Sequence, residues 1–237
     1  MGLFLFLPRA QPAYRLRFTI NLRIIKEIIS FSFANYIAEV FWGAATLILP
    51  LMVVNLLGAE LNAYFYIAWT IASVLTMIVG ATSMSLFAEG SYEEERLGLN
   101  IWRSLKMIYL IIVPAVVLIL VIAPKLLLLF GGSYSDNATT LLRILAISAL
   151  PLATNNVYLA TKRIEKKLRV LIGLTALAAT LTLGMSYLLL PRMGITGVGI
   201  AWLISQGVIA LVVAASWLKT GRKLRRVSTI VFPREES

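Results

Sequence analysis

The 237-residue sequence contains no cysteine and no histidine, and only 14% of its residues are charged. Without cysteine there is no disulfide and no thiolate chemistry; without histidine there is no imidazole base, and the usual zinc and haem sites go with them. Most familiar catalytic constellations are therefore excluded, and neither a cofactor nor an enzymatic role is expected. Acidic residues are also scarce, 11 Asp and Glu against 22 Lys and Arg, for a net charge of +11. Such an excess can mark nucleic-acid binding in a soluble chain. Here the basic residues flank long apolar runs and lack interleaved aromatic platforms, so no nucleic-acid partner is expected.

What the sequence has in abundance is apolar side chains: 59% of residues are hydrophobic, and the mean hydropathy is +0.87. Charges fall in short blocks between apolar runs near the ~20 residues a helix needs to cross a bilayer. The expected fold class is all-α and integral to the membrane, with spans at about 31–57, 63–88, 105–123, 138–161, 169–190 and 195–218. Residues 1–30 read as a cytoplasmic extension. The apolar stretch Gly2 to Leu7 is stopped by Pro8 before it reaches signal-peptide length. From Thr19 to Ser30, Ile20, Ile24, Ile25, Ile28 and Ile29 alternate with Arg23, Lys26 and Glu27, as suits an interfacial amphipathic helix. Residues 31–218 form the six-helix bundle, and 219–237 a basic cytoplasmic tail. Pro124 to Phe130 is expected at the outer interface, and Gly131 to Asn137 as a loop. Glu93, Glu94 and Glu95, followed by Leu97, Ile101, Trp102 and Leu105 at helical spacing, suggest a helix resting on the membrane surface.

Orientation follows from the basic residues. Of the 22 Lys and Arg, only Lys125, Arg143 and Arg192 fall on or near one side of the six spans. The rest lie on the other, so both termini and the second and fourth loops are expected in the cytoplasm of a plasma-membrane protein surrounded by lipid bilayer.

Small residues recur along three spans: Ala68, Ala72, Thr76 and Gly80; Gly173, Ala176, Thr180 and Gly184; Gly197, Ala201 and Ser205. Such stripes allow close helix approach in lipid. Two polar stripes point to a hydrated cavity: Ser32, Asn35, Glu39, Gly43 and Thr46 in the first span, and Arg143, Ser148, Pro151, Asn155 and Tyr158, with Asn156 adjacent, in the fourth. Glu39 and Arg143 are the ionisable residues expected inside spans, about 12 Å and 7 Å from opposite faces of the membrane. Their depths and directions argue against a mutual salt bridge, and intramembrane charges are functional candidates.

The order of several short motifs adds a family resemblance. They are Leu57-Gly58-Ala59-Glu60, Ala63-Tyr64-Phe65-Tyr66-Ile67-Ala68-Trp69, Ser85-Leu86-Phe87-Ala88-Glu89-Gly90, Leu129-Phe130-Gly131, Ser133-Tyr134-Ser135, Leu141-Leu142-Arg143-Ile144-Leu145-Ala146 and Gly194-Ile195-Thr196-Gly197-Val198-Gly199-Ile200-Ala201-Trp202. From Ser30 to about Ser216 the chain resembles polysaccharide-biosynthesis exporters, including O-antigen flippases, of the multidrug/oligosaccharidyl-lipid/polysaccharide (MOP) superfamily. The resemblance implies the second half of a MATE-like twelve-to-fourteen-helix transporter that flips lipid-linked oligosaccharide across a cavity between two halves. It implies a partner, an N-terminal half-transporter or a second copy, and a positively charged cavity that in this half would come mainly from Arg143; Glu39, Asn35, Asn155, Asn156 and Tyr158 are the further cavity candidates that the polar stripes supply. It implies no metal or catalytic residue. Where many relatives carry an Asp-Arg pair before the first outer loop, this chain has Leu49 and Pro50. The alternatives are a drug or cation exporter of the same superfamily, whose cavity would be dominated by carboxylates and aromatics, and a membrane protein that transports nothing without a partner half.

Overall fold

The computed structural model describes the backbone of residues 22–90 and 97–231 and the side chains of 22–85 and 101–217. The expectations for Met1 to Phe18 and for Glu93 to Glu95 lie outside the described residues. By internal contacts the chain divides into Met1–Phe33 and Ala34–Ser237, and the packing below belongs to the second unit.

Among the described residues six helices follow one another: α1 Leu22–Leu57, α2 Ala59–Gly90, α3 Leu97–Leu128, α4 Gly132–Ile164, α5 Leu168–Met193 and α6 Ile195–Val231. Each holds a stretch long and apolar enough to cross a membrane, and there is no strand among the described residues. The chain is an all-α, multi-pass membrane protein. Because successive helices alternate direction, the turns at Gly58, Gly131 and Gly194 share one end of the bundle. Lys166, whose φ is 53°, marks the opposite, basic end. The tightest reversal rests on Gly58 alone: α1 ends at Leu57, α2 begins at Ala59, and φ of 93° at Gly58 lies in the left-handed region that favours glycine. Its amide donates to the Val54 carbonyl at 3.1 Å and its carbonyl accepts from the Asn62 amide at 3.2 Å.

The helices are longer than the hydrophobic spans alone suggest. The amphipathic stretch before the first span is continuous with it from Leu22 onward. Leu97 to Leu105 forms the start of α3 and not a separate surface helix, and α3 continues through Pro124 to Leu128. Of Gly131 to Asn137, expected as a loop, Gly132 to Asn137 is the start of α4. Ser, Asn and Asp are as much at home at helix starts as in loops, because their side chains bond the backbone locally. Here the Asn137 amide donates to the Ser133 carbonyl and the Thr139 hydroxyl to the Ser135 carbonyl, while the Ser135 hydroxyl reaches across to the Pro124 carbonyl at 3.1 Å.

The least apolar helix, α4, is also the most buried. It packs against α2, α3 and α6, and α5 lies against α6. In lipid the outer surface must be apolar, so polar side chains such as Ser148, Asn155 and Thr161 turn inward. Helix α1 stands further from its neighbours and meets them through large side chains, Trp42 among them. Ala68, Ala72, Ala201 and Ser205 are buried as their stripes predict. The α5 stripe is a correction: Gly173, Thr180 and Gly184 are exposed, and α5 packs through Thr175, Ala178, Ala179, Thr182 and Ser186. Two rows of small residues run along α5, and α6 selects between them. Ser205 donates to the Ala178 carbonyl at 2.9 Å, and at Gly197 an added Cβ would lie 2.8 Å from the Leu189 carbonyl oxygen.

Candidate binding site

Three tryptophans from three helices meet near the middle of the bundle. The ring centroids of Trp42 (α1) and Trp202 (α6) are 5.4 Å apart, those of Trp69 (α2) and Trp202 are 5.0 Å apart, and both pairs meet edge to face. On its other side Trp69 stacks on Phe65 at 5.6 Å. Edge-to-face contact suits the ring quadrupoles. Beside the indoles a cleft of about 120 Å³ remains, completed by Thr46, Ala72, Ser73, Thr76, Leu145 and Ser148. Trp202 is buried, whereas Trp42 and Trp69 remain partly exposed.

The hydroxyl protons around this cleft are already committed. Thr46 donates to the Gly43 carbonyl at 3.0 Å, Ser73 to Thr70 at 2.7 Å, Thr76 to Ser73 at 2.7 Å and Ser148 to Leu145 at 2.6 Å. What these groups keep for a ligand is oxygen lone pairs. None of the residues lining the cleft is charged.

Of the two polar stripes, only Thr46 and Ser148 reach the cleft. Asn155 is buried and clamps α4 to α6, its amide donating to the Gln206 carbonyl at 2.9 Å and to its side-chain oxygen at 3.0 Å. Asn155 Oδ1 is buried without a partner. Asn156 turns back onto the Leu152 carbonyl. Tyr158 packs edge to face with Trp217 at 5.8 Å, with Lys162 Nζ 4.8 Å from its ring centre. Asn35 is partly buried on α1, outside the cleft lining. Glu39 pairs with Arg163, whose Nη2 donates to its Oε1 at 2.7 Å. Since Arg163 is one residue from the end of α4, this pair sits at the basic end and not deep inside a span. Nearby, Glu165 accepts from Lys162 at 2.6 Å and Lys167 at 2.9 Å. Burial alone would raise its pKa, but the two lysine hydrogen bonds outweigh burial and hold the carboxyl below its ordinary value.

Arg143 is not on the face that carries Ser148 and Asn155. It is exposed at the α3–α4 seam, and its Nε donates to the Leu120 carbonyl at 3.0 Å. The two stripes were grouped by spacing, yet Arg143 is five residues from Ser148, about 140° around the helix. The Leu120 carbonyl is available for a reason: its helical donor would be the amide of residue 124, which is Pro124. Inside a membrane a carbonyl freed this way must find another donor, and Arg143 supplies it.

The residues missed by spacing alone are Trp42, Trp69, Trp202, Ser73 and Thr76. Tryptophan ordinarily gathers at the two membrane interfaces, so three of them at mid-span were a signal available in the sequence.

Comparison with known proteins shows what the chain is similar to in sequence and in fold. A sequence model described as polysaccharide biosynthesis protein matches residues 4–139. Among solved structures, a MATE transporter in a bent conformation shares 20% identity and a TM-score of 0.75, over 90% of this chain and 49% of that one. An outward-facing multidrug resistance MATE family transporter of the MOP superfamily gives 21% and 0.74, over 90% and 50%. A MOP superfamily transporter from Pyrococcus furiosus, described as having a binding pocket of reverse polarity, gives 21% and 0.66, over 81% and 44%. The chain thus spans about half the length of these transporters. No curated protein sequence matches it.

Proposed function

The chain belongs to the polysaccharide biosynthesis protein family, and from that premise we propose that it is one half of a transporter that flips a lipid-linked saccharide across the plasma membrane. The observation that carries this reading is an uncharged cleft at mid-depth in a bundle that corresponds to half a transporter. Alternating access needs two bundles that rock against each other around a site near the membrane midplane. One bundle supplies one wall. The partner is a separate N-terminal half, in preference to a second copy, because a two-fold copy would have to complement a surface shaped for a non-identical neighbour. The basic end, with Lys162, Arg163, Lys166, Lys167 and Arg169, faces the cytoplasm.

A drug or cation exporter would be expected to place carboxylates in its cavity, and the cleft lining has none. In the flippase reading the cleft takes an uncharged part of the substrate, because Arg143 is exposed at the α3–α4 seam with its Nε committed to Leu120 and lies on another face of α4. The test is reconstitution in vesicles with a fluorescent lipid-linked oligosaccharide, with and without the partner half. Flipping is expected only with the partner. Robust flipping by a protein of monomeric mass would refute the half-transporter reading, and movement of organic cations but not saccharide by the complete assembly would refute the substrate.

A further inference from the structure

We propose that the cleft beside Trp42, Trp69 and Trp202 is a saccharide subsite that holds one uncharged pyranose ring, stacked on indole with its hydroxyls donating to Thr46, Ser73, Thr76 and Ser148. This deepens the transport reading and rests on it for the choice of a sugar. Size is the first argument. The cleft, about 120 Å³, is comparable to the ~150 Å³ cavity that accepts a benzene-sized ring and well below the ~300–1,000 Å³ of pockets for drug-sized ligands. It is too small to enclose a hexopyranose, which has many more heavy atoms than benzene, and so takes one face of a single ring while the rest of the sugar stays on the side where Trp42 and Trp69 are partly exposed.

Charge is the second. No cation lines the cleft to neutralise a phosphate and no carboxylate lines it to neutralise an amine, so a charged ligand would lose its hydration without a counter-charge. An uncharged sugar avoids that penalty, and the hydroxyls it buries need only acceptors to offset their lost hydration. Hydrogen-bond polarity is the third: the four hydroxyls have spent their protons on their own helices. The cleft therefore offers acceptors, and a polyol is rich in donors. Its apolar C–H face meets the aromatic wall while its rim meets the oxygens.

The indoles pack, Trp202 in the core and Trp42 and Trp69 against it, yet they do so in an uncommon way. Helices in lipid hold together through close approach of small residues, whereas these indoles join α1 and α2 to α6 by ring contacts and leave two of their own number partly exposed.

The experiment is tryptophan fluorescence of the purified full chain in detergent, titrated with methyl glucopyranoside, methyl mannopyranoside and N-acetylglucosamine. A saturable change is expected for at least one, with a dissociation constant on the order of millimolar. Trp69→Phe and Thr76→Val should each weaken it about fivefold to tenfold with the unfolding midpoint kept, and pyrophosphate should produce no change. Three results would overturn the subsite: no saturable response to any of the sugars, a response that both variants leave intact, or a response to tetraethylammonium or pyrophosphate in place of the sugars. Failure here is separable from failure of the transport reading. Saccharide binding without flipping by the complete assembly would refute transport alone, and flipping undiminished in Trp69→Phe would refute the subsite alone.

Discussion

If Arg143 serves the carbonyl that Pro124 leaves without a donor, the two residues must be energetically coupled. Arg143→Met keeps much of the aliphatic stem but removes the N–H groups. A hydrogen bond from a charged donor contributes about 1.5–3 kcal/mol, and its loss leaves the Leu120 oxygen unpaired at an apolar seam. Destabilisation of that size is expected with Pro124 in place. Pro124→Ala restores an amide four residues beyond Leu120, so the carbonyl regains its helical partner. In the Pro124→Ala background Arg143→Met should cost less than about 1 kcal/mol, a coupling of ~1–2 kcal/mol. Some residual effect is expected because a carbonyl has two lone pairs and Arg143 can occupy the second. Arg143→Lys should fall between, since a lysine ammonium can still donate but lacks the fixed geometry of guanidinium. The assay is equilibrium unfolding in mixed detergent with increasing dodecyl sulfate, followed by far-ultraviolet circular dichroism for all four members of the cycle. Additivity within about 0.5 kcal/mol would refute the reasoning and leave Arg143 as an anchor with no particular tie to Pro124.

The glycines of α6 should separate by what their missing Cβ would strike. Gly197→Ala meets the Leu189 backbone and should cost ~1–3 kcal/mol, whereas Gly199→Ala meets the movable Leu141 Cδ1 at 2.8 Å and should cost clearly less; equal unfolding midpoints would contradict this. Glu165 has a depressed folded-state pKa, so its stabilisation is present above the ordinary carboxylate value of about 4.3 and is lost as pH falls through the lower folded value. Glu165→Gln should flatten that acid limb of the stability profile, and an unchanged limb would assign it to other groups. Because the chain has no native cysteine, single cysteines report topology cleanly. One at Ser133 should react with an impermeant thiol reagent in intact cells and one at Lys166 should not, and the reverse pattern would invert the proposed orientation.

Much of the fold was legible along the chain. The bilayer sets a length threshold that a local stretch either meets or fails, so hydropathy alone located all six crossings, and motif order pointed to the family that the match over 4–139 establishes. The ends of the helices were less legible, because Ser133 to Asn137 carries residues that serve a loop or a first turn equally well. The site was read least well. Spacing placed Thr46 and Ser148 on inward faces, where they do line the cleft, but it grouped Arg143 with a face five residues away. It also put Glu39 deep in a span, when its partner is Arg163, 124 positions later.

What the sequence determined by itself was the set of spans among the described residues and how unevenly the basic charge is divided between their two ends, because both depend on each segment's own composition in lipid or water. Tertiary structure alone decided which face of each helix turns inward. That choice depends on neighbours remote in sequence: α6 selects the Ala178 row of α5, Pro124 recruits Arg143 across the seam, and Trp42, Trp69 and Trp202 form a wall only once α1, α2 and α6 are side by side. A helix can rotate about its axis without changing its composition, so only the sum of its contacts specifies the rotation.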